Sequence, residues 1–110
     1  MSKRSKLPPD VRALCIAHAQ GYDRRKRERQ LPPADRRSME AVETALLIAT
    51  HGIRSREVCE KLRRGILLSC GDRKRWPYER LHLPTVGRNE FYRRKADFLA
   101  ALAEELGYEI

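Results

Sequence analysis

Between positions 88 and 95 the chain places Arg88, Asn89, Tyr92, Arg93, Arg94 and Lys95. These side chains suit one kind of chemistry. An arginine guanidinium donates two parallel hydrogen bonds to the O6/N7 edge of guanine, and an asparagine amide pairs with adenine in the same bidentate way. Arginine, lysine and tyrosine also bind phosphate oxygens without regard to base sequence, so Arg88, Asn89 and Arg93 are expected to read bases and Arg94 and Lys95 to hold phosphates. With about 100° of turn per residue, Asn89 and Arg93 share a helix face with Ala100, opposite Phe91, Phe98, Leu102 and Leu106. Asp97 also falls on the polar side, so the basic face is expected to end near that turn. Lys95 falls within the apolar stripe. It must either snorkel or lie on turns that project beyond the core. A second basic run, Arg73-Lys74-Arg75, precedes this segment and is expected to hold phosphates.

Such a helix needs a scaffold. Residues 72–82 have room for a short helix, expected to begin at Pro77. Leu83-Pro84-Thr85-Val86-Gly87 then breaks it, and a longer helix runs from about Arg88. Helix, short turn, second helix is the helix-turn-helix plan, here over residues 77–107, in which the first residues of the second helix enter the major groove. Trp76 is expected to anchor the preceding segment by packing rather than to stack on a base.

Upstream, Leu7-Pro8-Pro9-Asp10 looks like a helix start. Val11, Leu14, Cys15 and His18 follow at helical spacing, so one helix is expected from Pro9 into the twenties, its charged second half in solvent. Gly21 weakens that helix without necessarily ending it. Leu31-Pro32-Pro33-Ala34-Asp35 starts another, with Met39, Val42, Leu46 and Ala49 as its stripe, widened by Leu47 and Ile48. His51-Gly52 closes it, and Ser55 caps a third whose face is Val58, Leu62 and Ile66. No segment alternates as a strand would. The expectation is an all-α single domain over residues 1–110, a small bundle of about five helices, with residues 1–8 as a flexible basic arm.

Charge narrows the partners. Lys and Arg number 24 against 15 acids, a formal charge of +9. Residues 1–30 hold nine bases against three acids, residues 71–95 eight against three, and residues 96–110 no base and four acids. Two basic blocks and an acidic tail favour a polyanionic partner. The block Arg24-Arg25-Lys26-Arg27 can add a second backbone contact. No apolar run approaches bilayer length, and the basic N-terminus lacks the apolar stretch of a signal peptide, so a cytoplasmic protein with no membrane partner is expected.

Catalysis finds little support. The three cysteines, Cys15, Cys59 and Cys70, make neither a CxxC pair nor a zinc knuckle; Cys15 and His18 share an i, i+3 spacing, but buried thiols are the simpler reading. No nucleophile–base arrangement or phosphate loop stands out. No enzyme activity, metal or cofactor is expected.

The run from Leu83 to Leu99 resembles the C-terminus of small phage transcriptional regulators of the ArpU and RinA kind, whose helix-turn-helix is like region 4 of sigma factors. Phe91-Tyr92, Arg93-Arg94-Lys95, Phe98-Leu99 and Leu106-Gly107 carry the likeness, which covers about the last third of the chain. Where those regulators open the second helix with Ser or Thr, Gly87-Arg88 stands here. The resemblance implies a sequence-specific double-stranded DNA-binding regulator of transcription, phage or prophage encoded. Two other readings stay open: a helical interaction module for RNA polymerase or another host protein, and an RNA-binding protein. A homo-dimer is compatible with each.

Overall fold

Two helices open on the same device. In Pro8-Pro9 and Pro32-Pro33 the first proline is extended (ψ 144° and 151°) and the second takes the first helical turn. A residue before proline is pushed out of the α region, and a proline at the first helical position gives up a donor that has no partner there. Asp10 and Asp35 then sit in the first turns, where a negative charge suits the helix dipole.

The computed structural model describes residues 7–108; most of the expected basic arm, residues 1–8, lies outside them. Among the described residues there are six helices: α1 (Pro9–Gln20), α2 (Tyr22–Arg27), α3 (Pro33–Ala49), α4 (Arg56–Gly71), α5 (Tyr78–Leu81) and α6 (Arg88–Leu106). Every described element is helical, so the all-α expectation holds. The first expected helix is divided at Gly21. The Arg25 guanidinium folds back over that position to bond the His18 carbonyl at 3.1 Å, and a Cβ on Gly21 would meet it at 2.5 Å. Ser55 caps α4 as expected, its Oγ accepting from the Val58 N–H at 3.3 Å. The helix expected to run to His51 ends two residues sooner, at Ala49.

α6 is the centre of the bundle. Phe91 and the six residues from Phe98 to Ala103 are buried, with α3 as the principal partner. α3 presents Ala41, Ala45 and Ala49 at four-residue intervals, together with Val42 and Leu46. The two helices run antiparallel. Arg94 of α6 reaches the end of α3, while Gly107, just past α6, lies beside Arg37 near its start. α1 packs on α4 and α6 through Val11, Cys15 and Ala19. Gly107 closes α6 in the left-handed region (φ 82°). Its N–H donates to the Glu104 carbonyl, and that of Tyr108 to Ala103, the paired bonds of a Schellman cap.

Three apolar residues expected on packed faces are exposed: Leu14, Leu47 and Ile48. The buried stripe of α1 steps by four through Cys15 and Ala19, and Leu14 falls beside it. Leu47 and Ile48 turn away from the face that meets α6.

The helix preceding α6 is shorter than the sequence suggests. α5 is a single turn, with Pro77 outside it. His82 leaves the α region (φ 49°), and Leu83 precedes Pro84, which disfavours helix. Thr85 also takes a left-handed conformation (φ 60°), uncommon for a β-branched residue. α5 is seated on Gly65 in the middle of α4, where a Cβ would meet Leu81 at 3.3 Å and Phe91 at 3.6 Å.

Candidate nucleic-acid interface

The first two turns of α6 extend past the C-terminal end of α3. There Arg88, Asn89 and Arg93 are all exposed. Asn89 and Arg93 are four residues apart and so stack on one face. Arg88 lies along Tyr92, its guanidinium 5.7 Å from the ring centroid, and pairs loosely with Glu79 of α5 at 3.4 Å. From Ala96 onward this face meets α3, and Ala100, expected opposite the core, is buried. The accessible face therefore ends close to Asp97, where the charge pattern suggests.

Aromatic packing fixes the approach to that face. Tyr78, Phe91 and Tyr92 form a chain of rings, with centroid separations of 5.8 and 5.1 Å. The Tyr78 hydroxyl donates to the Val86 carbonyl at 2.6 Å, tying α5 to the turn before α6. Tyr92 is half-buried, and its hydroxyl accepts from the Tyr78 N–H at 3.4 Å. Only part of its ring edge remains for a ligand.

Arg94 and Lys95, expected to hold phosphates, are placed elsewhere. The Arg94 guanidinium donates to the carbonyls of Ala49 (2.9 Å) and His51 (3.1 Å) and to Glu90 Oε2 (2.9 Å). It thus satisfies carbonyls that the end of α3 leaves without helical donors. Lys95 is 5% exposed, and its Nζ donates to Ser69 Oγ of α4 at 2.8 Å. Burial pushes its pKa below the ordinary lysine value; the neighbouring Cys70 opposes that, while the Arg12 and Arg73 charges add to it. Lys95 neither snorkels nor projects. Its aliphatic stem fills the core while a helix hydroxyl receives its amine.

The second basic run is built for display. Asp72 Oδ1 accepts from the backbone N–H of both Lys74 and Arg75 at 3.1 Å, folding the chain into a turn that holds Arg73, Lys74 and Arg75 in solvent. The upstream block is divided. Arg24, Lys26 and Arg27 are exposed, but Arg25 is held by Asp35 (3.3 Å) and the His18 carbonyl. Arg80 of α5 is a basic residue that the sequence patterns do not single out. It is exposed, and its guanidinium lies 5.8 Å from the Trp76 ring. Its spacing from Trp76, one turn on, is the signal that could have found it.

The thiols are buried, as expected. Burial pushes Cys15 up to about 11, with the nearby Cys70 adding to the rise. His18 turns to Ser38 Oγ at 2.6 Å, across from α3, and burial lowers its pKa, helped by Arg25. Among the described residues no helix is long and apolar enough to cross a membrane.

No family model, curated protein or solved structure matches this chain.

Proposed function

We propose that the chain is a sequence-specific double-stranded DNA-binding protein that regulates transcription, in keeping with its resemblance to phage regulators. Arg88, Asn89 and Arg93 read base edges, and Arg73, Lys74 and Arg75 hold backbone phosphates. Arg94 and Lys95 are excluded from the contact set, and Tyr92 serves mainly to position Arg88. The observation that carries this reading is the joint exposure of Arg88, Asn89 and Arg93 on helix turns that extend past α3. It leaves a rigid, guanidinium-rich helix end free to enter a groove, with a basic turn available to steady it.

The test is selection of bound duplexes from a random pool, followed by a salt titration of the selected sequence. A single preferred site is expected, with affinity falling steeply as salt rises. Arg93→Ala should weaken that site by about 1–3 kcal/mol and relax preference at one base pair. Binding without sequence preference, or insensitive to salt, refutes the reading.

A second reading has one observation in its favour. Exposed Leu47 and Ile48 lie with His51, Arg93 and Asp97 around a groove beside the α6 face. Such a surface suits a protein partner, RNA polymerase among them, in place of DNA or next to it. Competition separates the two: random duplex at moderate salt displaces a DNA ligand and leaves a protein partner bound.

A further inference from the structure

Between α4 and the segment carrying α5 lies an open cavity of about 280 Å3. Lys61 and Arg64 enter it from α4, Arg80 from α5, and His82 from the left-handed residue that ends α5. Trp76 forms a wall, and among the described residues no carboxylate lines it. Three features favour an anionic ligand. Arg80 is held in place: its guanidinium lies over the indole and Nη1 donates to the Arg75 carbonyl at 3.2 Å. A stacked guanidinium keeps its remaining N–H groups for a planar or tetrahedral oxyanion. Lys61 and Arg64 engage Glu57 and Asp23, but those carboxylates are largely in solvent, so the pairs are weak and exchangeable. The imidazole of His82 adds a further N–H donor.

The cavity is also placed beside the proposed reading face. Glu79 of α5 pairs with Arg88 at the start of α6, and the next residue, Arg80, lines the cavity. One turn of helix thus faces both sites. Arg75, in the basic turn, packs over the same indole at 6.0 Å.

We propose that this cavity takes a backbone phosphate of the bound duplex, outside the base pairs that α6 reads. Resting on the duplex-binding reading, it makes α5 the bridge between two contacts. Arg80, Arg64 and Lys61 hold the phosphate oxygens, and Trp76 stiffens Arg80. Such a contact adds affinity and fixes the direction in which DNA leaves α6, but carries no sequence information.

Trp76 is the only tryptophan of the chain, so emission excited selectively at tryptophan reports on the surroundings of this one indole, and Arg80→Gln separates the cavity from the neighbouring basic turn. The full chain is titrated with the selected duplex, in a long form and in forms trimmed from either end. Emission is expected to change on saturation with the long duplex, and the change should vanish when one particular flank is removed. Arg80→Gln should lower the slope of log affinity against log salt by about one while leaving the selected sequence unchanged. Arg80→Lys should restore most of that slope. Arg36→Gln, at the far end of α3, should leave it alone. Retardation of the duplex with unchanged Trp76 emission and an unchanged slope in Arg80→Gln overturns the phosphate site and leaves the α6 reading standing. An equal loss of slope in Arg36→Gln overturns it too, since any surface charge would then serve. Failure to retard any duplex overturns both.

Discussion

The two halves of α6 have the same backbone and opposite surroundings. From Phe98 to Ala103 every residue is buried, whichever way it points. Around Arg88, Asn89 and Arg93 the same helix is open, because α3 ends at Ala49 and α5 packs on the side that carries Phe91 and Tyr92. The point where a neighbouring helix stops decides which side chains of α6 are available to a ligand. The three consecutive basic residues make this concrete. Arg93 faces solvent, Arg94 closes the end of α3, and Lys95 is in the core. Residue type is nearly constant across them, and position relative to α3 and α4 assigns the role.

The largest effect expected from breaking this contrast lies in the buried half. Phe98→Ala removes a fully buried ring. It should cost about 3–5 kcal/mol, as large-to-small core changes do, and urea unfolding would show it as a lower midpoint. DNA binding should be lost only in proportion to the unfolded fraction.

The adjacent arginines offer a sharper test. Arg94→Ala strips two carbonyls and Glu90 of their donor in a part-buried setting. It should destabilise by about 1–3 kcal/mol. Arg93→Ala, at an exposed position, should shift stability by no more than about 0.5 kcal/mol while carrying the binding loss. Thermal melts and duplex titrations of both variants therefore form a crossed pattern. If both lose affinity and neither loses stability, the assignment of Arg94 to α3 is wrong.

How much of this was legible in the sequence follows from the same geometry. The paired prolines, Ser55 and the Phe91–Phe98 stripe act within a turn or two of their own positions, and the helices they imply are found. Asp97 also marked the end of the accessible face. Arg94 and Lys95 could not be placed, because their partners lie far along the chain: Ala49 and His51 for one, Ser69 for the other. A single serine at a buried position of α4 gives no sign that it receives an amine. The brevity of α5 was partly visible in Leu83-Pro84, but the left-handed turn at His82 was not: histidine enters that region more readily than most residues, yet in a small minority of its positions, so its presence does not mark the turn.

Lys95 supplies a pH test. Burial lowers its pKa in the folded state below the unfolded value, so the unfolded chain binds more protons in the interval between the two. The cost of keeping its charge inside is fully present below the folded pKa. It is relieved as pH rises through that value toward 10.5, the ordinary lysine value. Replacing both members of the contact, Lys95→Met with Ser69→Ala, removes the charge without orphaning the hydroxyl. That double variant should be neutral to about 1 kcal/mol more stable at neutral pH, in line with other buried charges exchanged for apolar groups. Its advantage should shrink as pH is raised. Unfolding curves at neutral and alkaline pH check this, and an advantage that grows with pH would contradict the burial of a charged amine.

The smallest effect concerns the open half. α6 starts at Gly87 without a side-chain cap, although the backbone there is extended (φ −75°, ψ 168°) and a Cβ would meet nothing within 4 Å. Gly87→Ser supplies the missing acceptor for the N–H of Asn89 or Glu90 and should add a few tenths of a kcal/mol. For a domain of this size that is about 1–3 °C in Tm. The introduced serine and Glu90 would also have the spacing of a capping box, in which the Glu90 carboxylate accepts from the backbone N–H of the N-cap residue at position 87. In this fold Glu90 is already taken by Arg94 at 2.9 Å. Gly87→Ser should therefore give only the serine half of the box in the parent chain and more in an Arg94→Ala background, where Glu90 is released. Slower amide exchange at Asn89 or Glu90 in Gly87→Ser, joined by protection of the N–H at position 87 when the double variant is compared with Arg94→Ala alone, would show that the reading turns and the α3 cap draw on the same carboxylate.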